Sequence, residues 1–143
     1  HRVRFSSANG RASIAAVENR PAGEAVSTEY PILLSTGRIV EHYNSGSMTR
    51  RCPSLNEMDN ELYVEIHPED AERLGVGDGR MVKVKTVRGE TEARARITER
   101  VKPGMVFMPF HWQGTNIITS DALDPVARIP EYKIAACRIE AMG

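Results

Sequence analysis

The sequence predicts a closed, mainly β barrel, and three observations support that fold class. Short segments alternate apolar and polar residues, as in residues 81–87, a pattern that indicates half-buried strands. Glycine-rich turns such as residues 76–80 separate these segments. A single short helix is evident, after His67. Short strands, tight turns and one small helix are typical of a closed barrel.

The first two strands are predicted on either side of a long polar stretch. The apolar run at residues 30–34 indicates a buried strand, whereas the alternation at residues 61–67 indicates a half-buried one. In this second strand the side chains expected to face the core are Leu62, Val64 and Ile66. Those expected to face solvent are Glu61, Tyr63 and Glu65.

A short helix is predicted to begin at Pro68 and to end near Gly75. Proline suits the first turn, the acidic pair that follows it faces the positive end of the helix dipole, and glycine is favoured at the C-terminal cap. Four further strands are predicted after this helix, with turns at residues 88–89 and 102–104. They span residues 81–87, 90–100, 105–112 and 134–141.

Two regions lack this regular pattern. Residues 1–29 carry few large apolar side chains, so we interpret them as an arm or linker from a preceding domain, in which residues 11–21 could hold one strand. The compact domain is predicted over residues 30–143. Residues 111–133 are polar and aperiodic, and such a long stretch is usually functional or disordered. Trp112, Tyr132 and the turn at residues 121–125 favour order.

Composition excludes several function classes. Lys+Arg and Asp+Glu both number 19, a balance that argues against general binding of nucleic acid or of a membrane surface. We find no apolar run long enough to span a membrane and no signal-peptide pattern, so we expect a cytoplasmic protein. Cys52 and Cys137 are too far apart to suggest a zinc or iron–sulfur site within this chain.

Two polar segments that follow predicted strands are the candidate binding regions. The first loop (residues 35–51) and the second loop (residues 111–133) each place His, Asn and Ser or Thr beside glycine. Gly37 and Gly114 would let backbone N–H groups approach a ligand, and Arg38 would add a charge suited to phosphate. The second loop could read the edges of a heterocycle by hydrogen bonds. The pattern therefore favours a phosphate-linked cofactor that carries rings.

Each of these residues also has a purely structural interpretation. His42 could be a structural histidine bonded to backbone, Trp112 an ordinary core residue, and Arg50 and Arg51 a solvated pair. We find no carboxylate pair at a spacing that suits acid–base work, no G-x-S-x-G and no P-loop pattern. A self-contained catalytic centre is therefore not predicted.

Taken together, the motifs of the two loops resemble a known family. T-G-R at residues 36–38 with H-Y-N-S-G-S-M-T at 42–49, and L-D-P at 123–125 with P-E-Y-K at 130–133, resemble the C-terminal dinucleotide-binding domain of the molybdopterin oxidoreductases, the dimethyl-sulfoxide-reductase superfamily. Within it, the chain is most similar to formate dehydrogenase α subunits, over nearly all of its length. The resemblance implies a six-stranded double-psi β-barrel of the aspartate-decarboxylase-like type with one or a few short helices.

The resemblance also implies a cofactor and its partners. In this family the domain closes over bis-molybdopterin guanine dinucleotide with molybdenum or tungsten, and the enzyme would oxidise formate to carbon dioxide in a two-electron reaction. Iron–sulfur clusters and the catalytic and metal-ligating residues belong to other domains, so neither catalytic residues nor metal ligands are expected here, and the fragment alone should be inactive. The implied partners are the remaining domains of the same subunit and electron-transfer subunits, without nucleic acid or membrane insertion.

Eleven residues match the family motifs and are the predicted cofactor contacts. They are Thr36, Gly37, Arg38, His42, Tyr43, Asn44 and Met48 in the first loop, and His111, Asn116, Tyr132 and Lys133 in the second. Arg128 stands where the family often has Lys, and no role is predicted for it. Two alternatives remain, a nitrate- or arsenate-type reductase domain of the same superfamily and a double-psi barrel that serves protein interaction. Cofactor binding requires that the two loops meet on one side of the barrel.

Overall fold

The computed structural model describes residues 3–142, in which six strands close into a barrel. The strands are β1 (Ile32–Gly37), β2 (Tyr63–Ile66), β3 (Met81–Thr86), β4 (Gly89–Ile97), β5 (Met105–Pro109) and β6 (Ala135–Ala141). Three short helices and a 3-10 turn lie between them: α1 (Pro53–Met58), α2 (Pro68–Leu74), α3 (Gln113–Ile118) and Thr49–Arg51. The predicted fold class is confirmed, although sequence patterning indicated α2 alone among the helices.

The strand order explains how the barrel closes. The order is β1-β5-β2-β4-β3-β6, and β6 pairs back with β1. The pairs β1–β5 and β2–β4 are parallel and the other four are antiparallel. Every pair joins a strand from the first half of the chain (β1–β3) to a strand from the second half (β4–β6). If β1, β2 and β3 are exchanged with β4, β5 and β6, the same six pairs result. Two interleaved halves of this kind match the double-psi barrel that the resemblance implies.

Alternating side chains of all six strands fill the barrel. Leu34, Val64, Val84, Ala95 and Val106 are completely buried, as period-2 patterning requires of inward positions. The small alanines of β4 leave room for larger side chains from the facing strands. Burial of these apolar side chains is the main source of the barrel's stability.

The outer face of β2 differs from its prediction. All four residues of β2 are buried, so the expectation that Tyr63 and Glu65 face solvent is wrong. The guanidinium of Arg96 lies 3.4 Å from the centre of the Tyr63 ring, and Arg100 Nη1 lies 3.2 Å from a Glu65 oxygen. Burial raises the pKa of Tyr63 to about 12, with nearby Asp59 adding to the rise. Side chains from the neighbouring strand and the following loop thus cover a face that alternation alone assigns to solvent.

The first predicted strand, residues 30–34, is observed as Ile32–Gly37. β1 continues through Thr36 and Gly37, which pair with Met108 and Pro109 of β5.

Residues 11–21 form no strand, so the expectation of a strand in the arm is wrong. The boundary between arm and domain at residues 29–30 stays a prediction. Within residues 3–142, every helix is too short and too polar to cross a membrane.

Helix α2 forms as its capping residues predict. His67 caps its start, where the side-chain Nδ1 accepts a hydrogen bond from the Glu69 N–H, and Gly75 ends it in the left-handed conformation at φ 66°. Asp70 is buried, and its carboxylate accepts a 2.6 Å hydrogen bond from the Gly104 N–H and pairs with Arg73. This side chain therefore ties α2 to the turn before β5.

We expect Asp70→Ala to lower the free energy of unfolding by about 1–2 kcal/mol, because the Gly104 N–H loses its acceptor in a partly buried position. Glu72→Ala is a matched control, since Glu72 is an exposed acid of the same helix. Chemical denaturation of both variants measures the difference, and equal stabilities would contradict this role of Asp70.

Candidate functional site

The two predicted loops meet at one end of the barrel. The Thr36 hydroxyl donates a 2.5 Å hydrogen bond to the Tyr132 carbonyl, and Lys133 Nζ donates to the Thr36 carbonyl at 3.1 Å. The register of β1 against β6 explains this contact, because Leu34 pairs with Ala135 and the chain on either side is brought together. Residues nearly a hundred positions apart therefore share one site.

A hollow of about 370 Å³ lies between the loops. The Arg38 guanidinium donates a 2.6 Å hydrogen bond to Asn44 Oδ1 and lies 5.8 Å from the centre of the Phe110 ring. Asn116 Nδ2 donates to the Phe110 carbonyl at 3.3 Å, and the rings of Phe110 and Tyr132 are 6.4 Å apart. The hollow therefore combines one cation, two amides and two aromatic rings. Its remaining lining residues are Thr119 and Pro130.

His42 is buried and does not line this hollow. Its Nε2 is 2.7 Å from the Asp59 carbonyl and its Nδ1 is 3.0 Å from the Thr49 hydroxyl. A carbonyl can only accept, so Nε2 carries the proton and Nδ1 accepts from Thr49 in the neutral ring. Thr49 in turn accepts from the Tyr43 N–H at 3.2 Å. These bonds match the interpretation of His42 as a structural histidine, and its direct contact with a cofactor stays a prediction.

His111 packs against His42 and is equally buried. The two imidazole centres are 4.6 Å apart, and the Trp112 ring lies 4.8 Å from His111 and 6.4 Å from His42. Burial, followed by the nearby His42 and Arg50, lowers the pKa of His111 to about 4, so its ring is neutral at pH 7. Burial raises the pKa of Asp59, an effect that Arg96 opposes.

Three buried polar atoms in this cluster have no hydrogen-bond partner. They are His111 Nε2, Asp59 Oδ1 and Trp112 Nε1, and the first two are 3.8 Å apart. Donor atoms of His42, Asp59 and His111 all lie within 4.8 Å of one another, which raises the question of a metal ion. Both nitrogens of His42 are already engaged, so the cluster offers two free ligands and does not support a metal site.

The middle of the first loop is exposed. Tyr43 and Met48, both predicted contacts, have 62% and 71% of their surface accessible. Asn44 and Gly46 adopt positive φ and turn the chain, and Arg50 donates to the Gly46 carbonyl at 3.3 Å. The Arg50 guanidinium also lies 5.1 Å from the Trp112 ring. Arg50 and Arg51 are both exposed, as a solvated pair would be, but Arg50 also holds the loop.

The glycines have a packing role that the sequence did not indicate. A Cβ on Gly37 would lie 2.6 Å from the Phe107 ring, and one on Gly114 would lie 2.3 Å from Thr91 Oγ1. The space beside each Cα is thus filled by protein side chains. Glycine is required at these positions for close packing within the chain.

Sequence reasoning missed several residues that build this site. Phe110 lines the hollow but was predicted only as part of a strand, and Asp59 carries no local signal. Of the eleven predicted residues, four line the hollow, and Thr36 and Lys133 bond beside it. The four are Arg38, Asn44, Asn116 and Tyr132.

Comparisons with known proteins show the family to which the chain belongs. Residues 32–136 match the family model described as "Molydopterin dinucleotide binding domain". The chain is 48% identical to the F420-dependent formate dehydrogenase subunit alpha of Methanocaldococcus jannaschii, over 98% of this chain and 21% of that protein. It is 41% identical to a nitrate reductase of Symbiobacterium thermophilum, over 95% of this chain and 19% of that one.

A solved structure gives the same fold. Acetylene hydratase from Pelobacter acetylenicus superposes with a TM-score of 0.69 at 19% identity, over 80% of this chain and 19% of that one. At this identity the likeness concerns the fold alone. The chain spans about a fifth of the length of the curated relatives it matches.

Proposed function

The chain belongs to the molydopterin dinucleotide binding domain family, and from that premise we propose that it binds bis-molybdopterin guanine dinucleotide within a formate dehydrogenase. The observation that carries the proposal is the hollow between the two loops, where Arg38, Asn44, Asn116 and Tyr132 converge. Convergence on one side is what cofactor binding requires, whereas a protein-interaction barrel has no need of it.

The residues present fit such a cofactor. Arg38 offers a planar fork of donors suited to a diphosphate. The two amides each provide a donor and an acceptor for the edge of a heterocycle, and the two aromatic rings provide faces against which it can stack. His111, a predicted contact, and Trp112 carry buried nitrogens without a hydrogen-bond partner, Nε2 and Nε1, but neither residue lines the hollow.

In the proposed function this domain binds and orients, while the reaction belongs to the cofactor. When bound, the molybdenum or tungsten centre supplies two-electron redox chemistry. Arg38 would neutralise phosphate charge and Tyr132 would pack against a ring. His42 holds the first loop in place through Thr49 and the Asp59 carbonyl. We place the domain in a larger cytoplasmic subunit that passes electrons to iron–sulfur clusters and partner subunits.

Formate is the substrate we propose for the whole enzyme. The formate dehydrogenase subunit of M. jannaschii shares 48% identity with the chain, compared with 41% for the S. thermophilum nitrate reductase. The nitrate reductase match makes a reductase of the same superfamily the second candidate. In either enzyme this domain would have the same cofactor-binding role.

Arg38→Ala in the full-length subunit tests the proposal. We expect cofactor affinity to fall about tenfold or more, since a hydrogen bond from a charged group contributes about 1.5–3 kcal/mol. Metal analysis and release of guanine nucleotide from the purified subunit measure cofactor content. Arg51→Ala is the matched control, an exposed arginine of the same loop. Wild-type cofactor content in both the Arg38→Ala and the His42→Ala variants would overturn the assignment of cofactor binding to this domain.

A further inference from the structure

The linker-like segment before β1 is bound tightly to the barrel. We call residues 23–30 the strap. Glu24 Oε1 accepts a 2.9 Å hydrogen bond from the Ala136 N–H of β6, and Glu24 Oε2 pairs with Arg88 Nη2 at 2.8 Å. Both side chains are only 17% exposed. One carboxylate therefore joins the strap to a barrel strand and to the β3–β4 turn.

Arg88 extends these contacts to the second loop. Its Nη2 donates to the Ile118 carbonyl at 3.4 Å, and its Nη1 lies 3.8 Å from an Asp121 oxygen. Further along the second loop, the Gly23 N–H donates to Glu131 Oε2 at 2.7 Å. The strap and its partner Arg88 thus hold both ends of residues 119–131, which we call the tip segment.

Packing between the strap and the tip segment is close. A Cβ on Gly23 would lie 2.8 Å from the Ala122 Cβ and 3.2 Å from Glu131 Oε2. The Glu131 N–H donates to the Ala122 carbonyl at 2.8 Å, so these two residues form the base of the tip segment. The strap therefore packs directly against this base.

The base of the tip segment leads directly into the candidate site. Tyr132 and Lys133 follow Glu131, and both contact Thr36 at the end of β1. The tip segment is itself held by backbone bonds such as that from the Asp124 N–H to the Ile129 carbonyl, at 2.9 Å. A shift of Glu131 would therefore move Tyr132 within the hollow.

We propose that Glu24 and Arg88 are positioning residues, which fix the base of the tip segment and thereby hold Tyr132 and Lys133 in the cofactor site. The strap contacts are independent of any ligand, and only their consequence for the cofactor rests on the proposed function. Both residues lie outside the two loops that carry the family motifs.

Hydrogen–deuterium exchange on the full-length subunit tests the strap. Glu24→Gln keeps an oxygen for the Ala136 N–H but removes the charge opposite Arg88. We expect amides of residues 120–131 to exchange about tenfold faster or more, with β2 and β4 unchanged. Arg88→Gln should do the same. Glu18→Gln, an exposed acid of the arm, is the control and should match wild type.

A second pair of variants guards against general unfolding. Gly23→Ala should speed exchange in the tip segment, and the double variant with Ala122→Gly should restore it, because it frees the space that the new Cβ needs. Wild-type exchange in both Glu24→Gln and Arg88→Gln would overturn the inference. Cofactor content of the wild-type subunit separately tests the proposed function. Failure of the inference about the strap is therefore distinguishable from failure of the proposed function.

Discussion

Gly114→Ala is expected to lower the free energy of unfolding by about 2 kcal/mol. A Cβ at this position would lie 2.3 Å from Thr91 Oγ1 and 2.8 Å from Leu62 Cδ2, and overpacking of this kind costs about 1–3 kcal/mol or more. Alanine gains about 1 kcal/mol of helix propensity, which offsets part of the cost. The helix α3 would shift away from β4 and carry Asn116 with it.

Denaturant unfolding of the chain measures this effect. Adding Thr91→Ala should recover part of the stability, since it removes the nearest atom. Gly77→Ala is the control, because its new Cβ would meet only Arg80 Cγ at 3.3 Å and its φ is not positive. A stability of Gly114→Ala equal to that of the wild type would show that α3 moves freely against β4.

Stability should also fall as the pH is lowered from about 6.5 to about 4, because of His111. The pKa of this buried imidazole is about 4 in the folded chain, against 6.5 for an unperturbed histidine. Between these values the unfolded chain binds a proton that the folded chain refuses, which favours unfolding. The expected loss is up to about 3 kcal/mol, and it is complete once the pH is below both values.

Unfolding free energies of wild type and His111→Gln between pH 4 and 8 test this expectation. The variant should lack this part of the pH dependence, whereas other groups should act equally in both proteins. The groups facing His111 are His42, Asp59, Arg50 and Trp112. The raised pKa of Asp59 acts in the opposite direction, since its carboxylate accepts a proton more readily in the folded state. Identical pH profiles for the two proteins would contradict a role for His111.

The elements that the sequence predicted well are those encoded by neighbouring residues. Apolar runs and alternation together located all six strands, and the proline, acids and glycine around α2 located both of its ends. Helices α1 and α3 were missed because each is a six-residue helix whose side chains give no clear period. The motifs T-G-R and P-E-Y-K located both halves of the candidate site.

Other features depended on residues far away in the chain. Alternation placed Tyr63 and Glu65 in solvent, yet Arg96 and Arg100 cover them. The partner of His42 is a carbonyl that lies 17 residues further along, and no local pattern identifies it. The strap was interpreted as part of an arm or linker, since its small polar residues give no sign that Glu24 meets Arg88.

The sequence by itself determined the strand segments, the helix α2, the family and the two loops that carry its motifs. Only the tertiary structure decided that the loops share one hollow, that His42 is internally bonded, and that the strap holds the tip segment. The physical reason lies in the topology, because every strand pair joins one half of the chain to the other. Local propensity specifies each strand, whereas the neighbours of its side chains come from the opposite half.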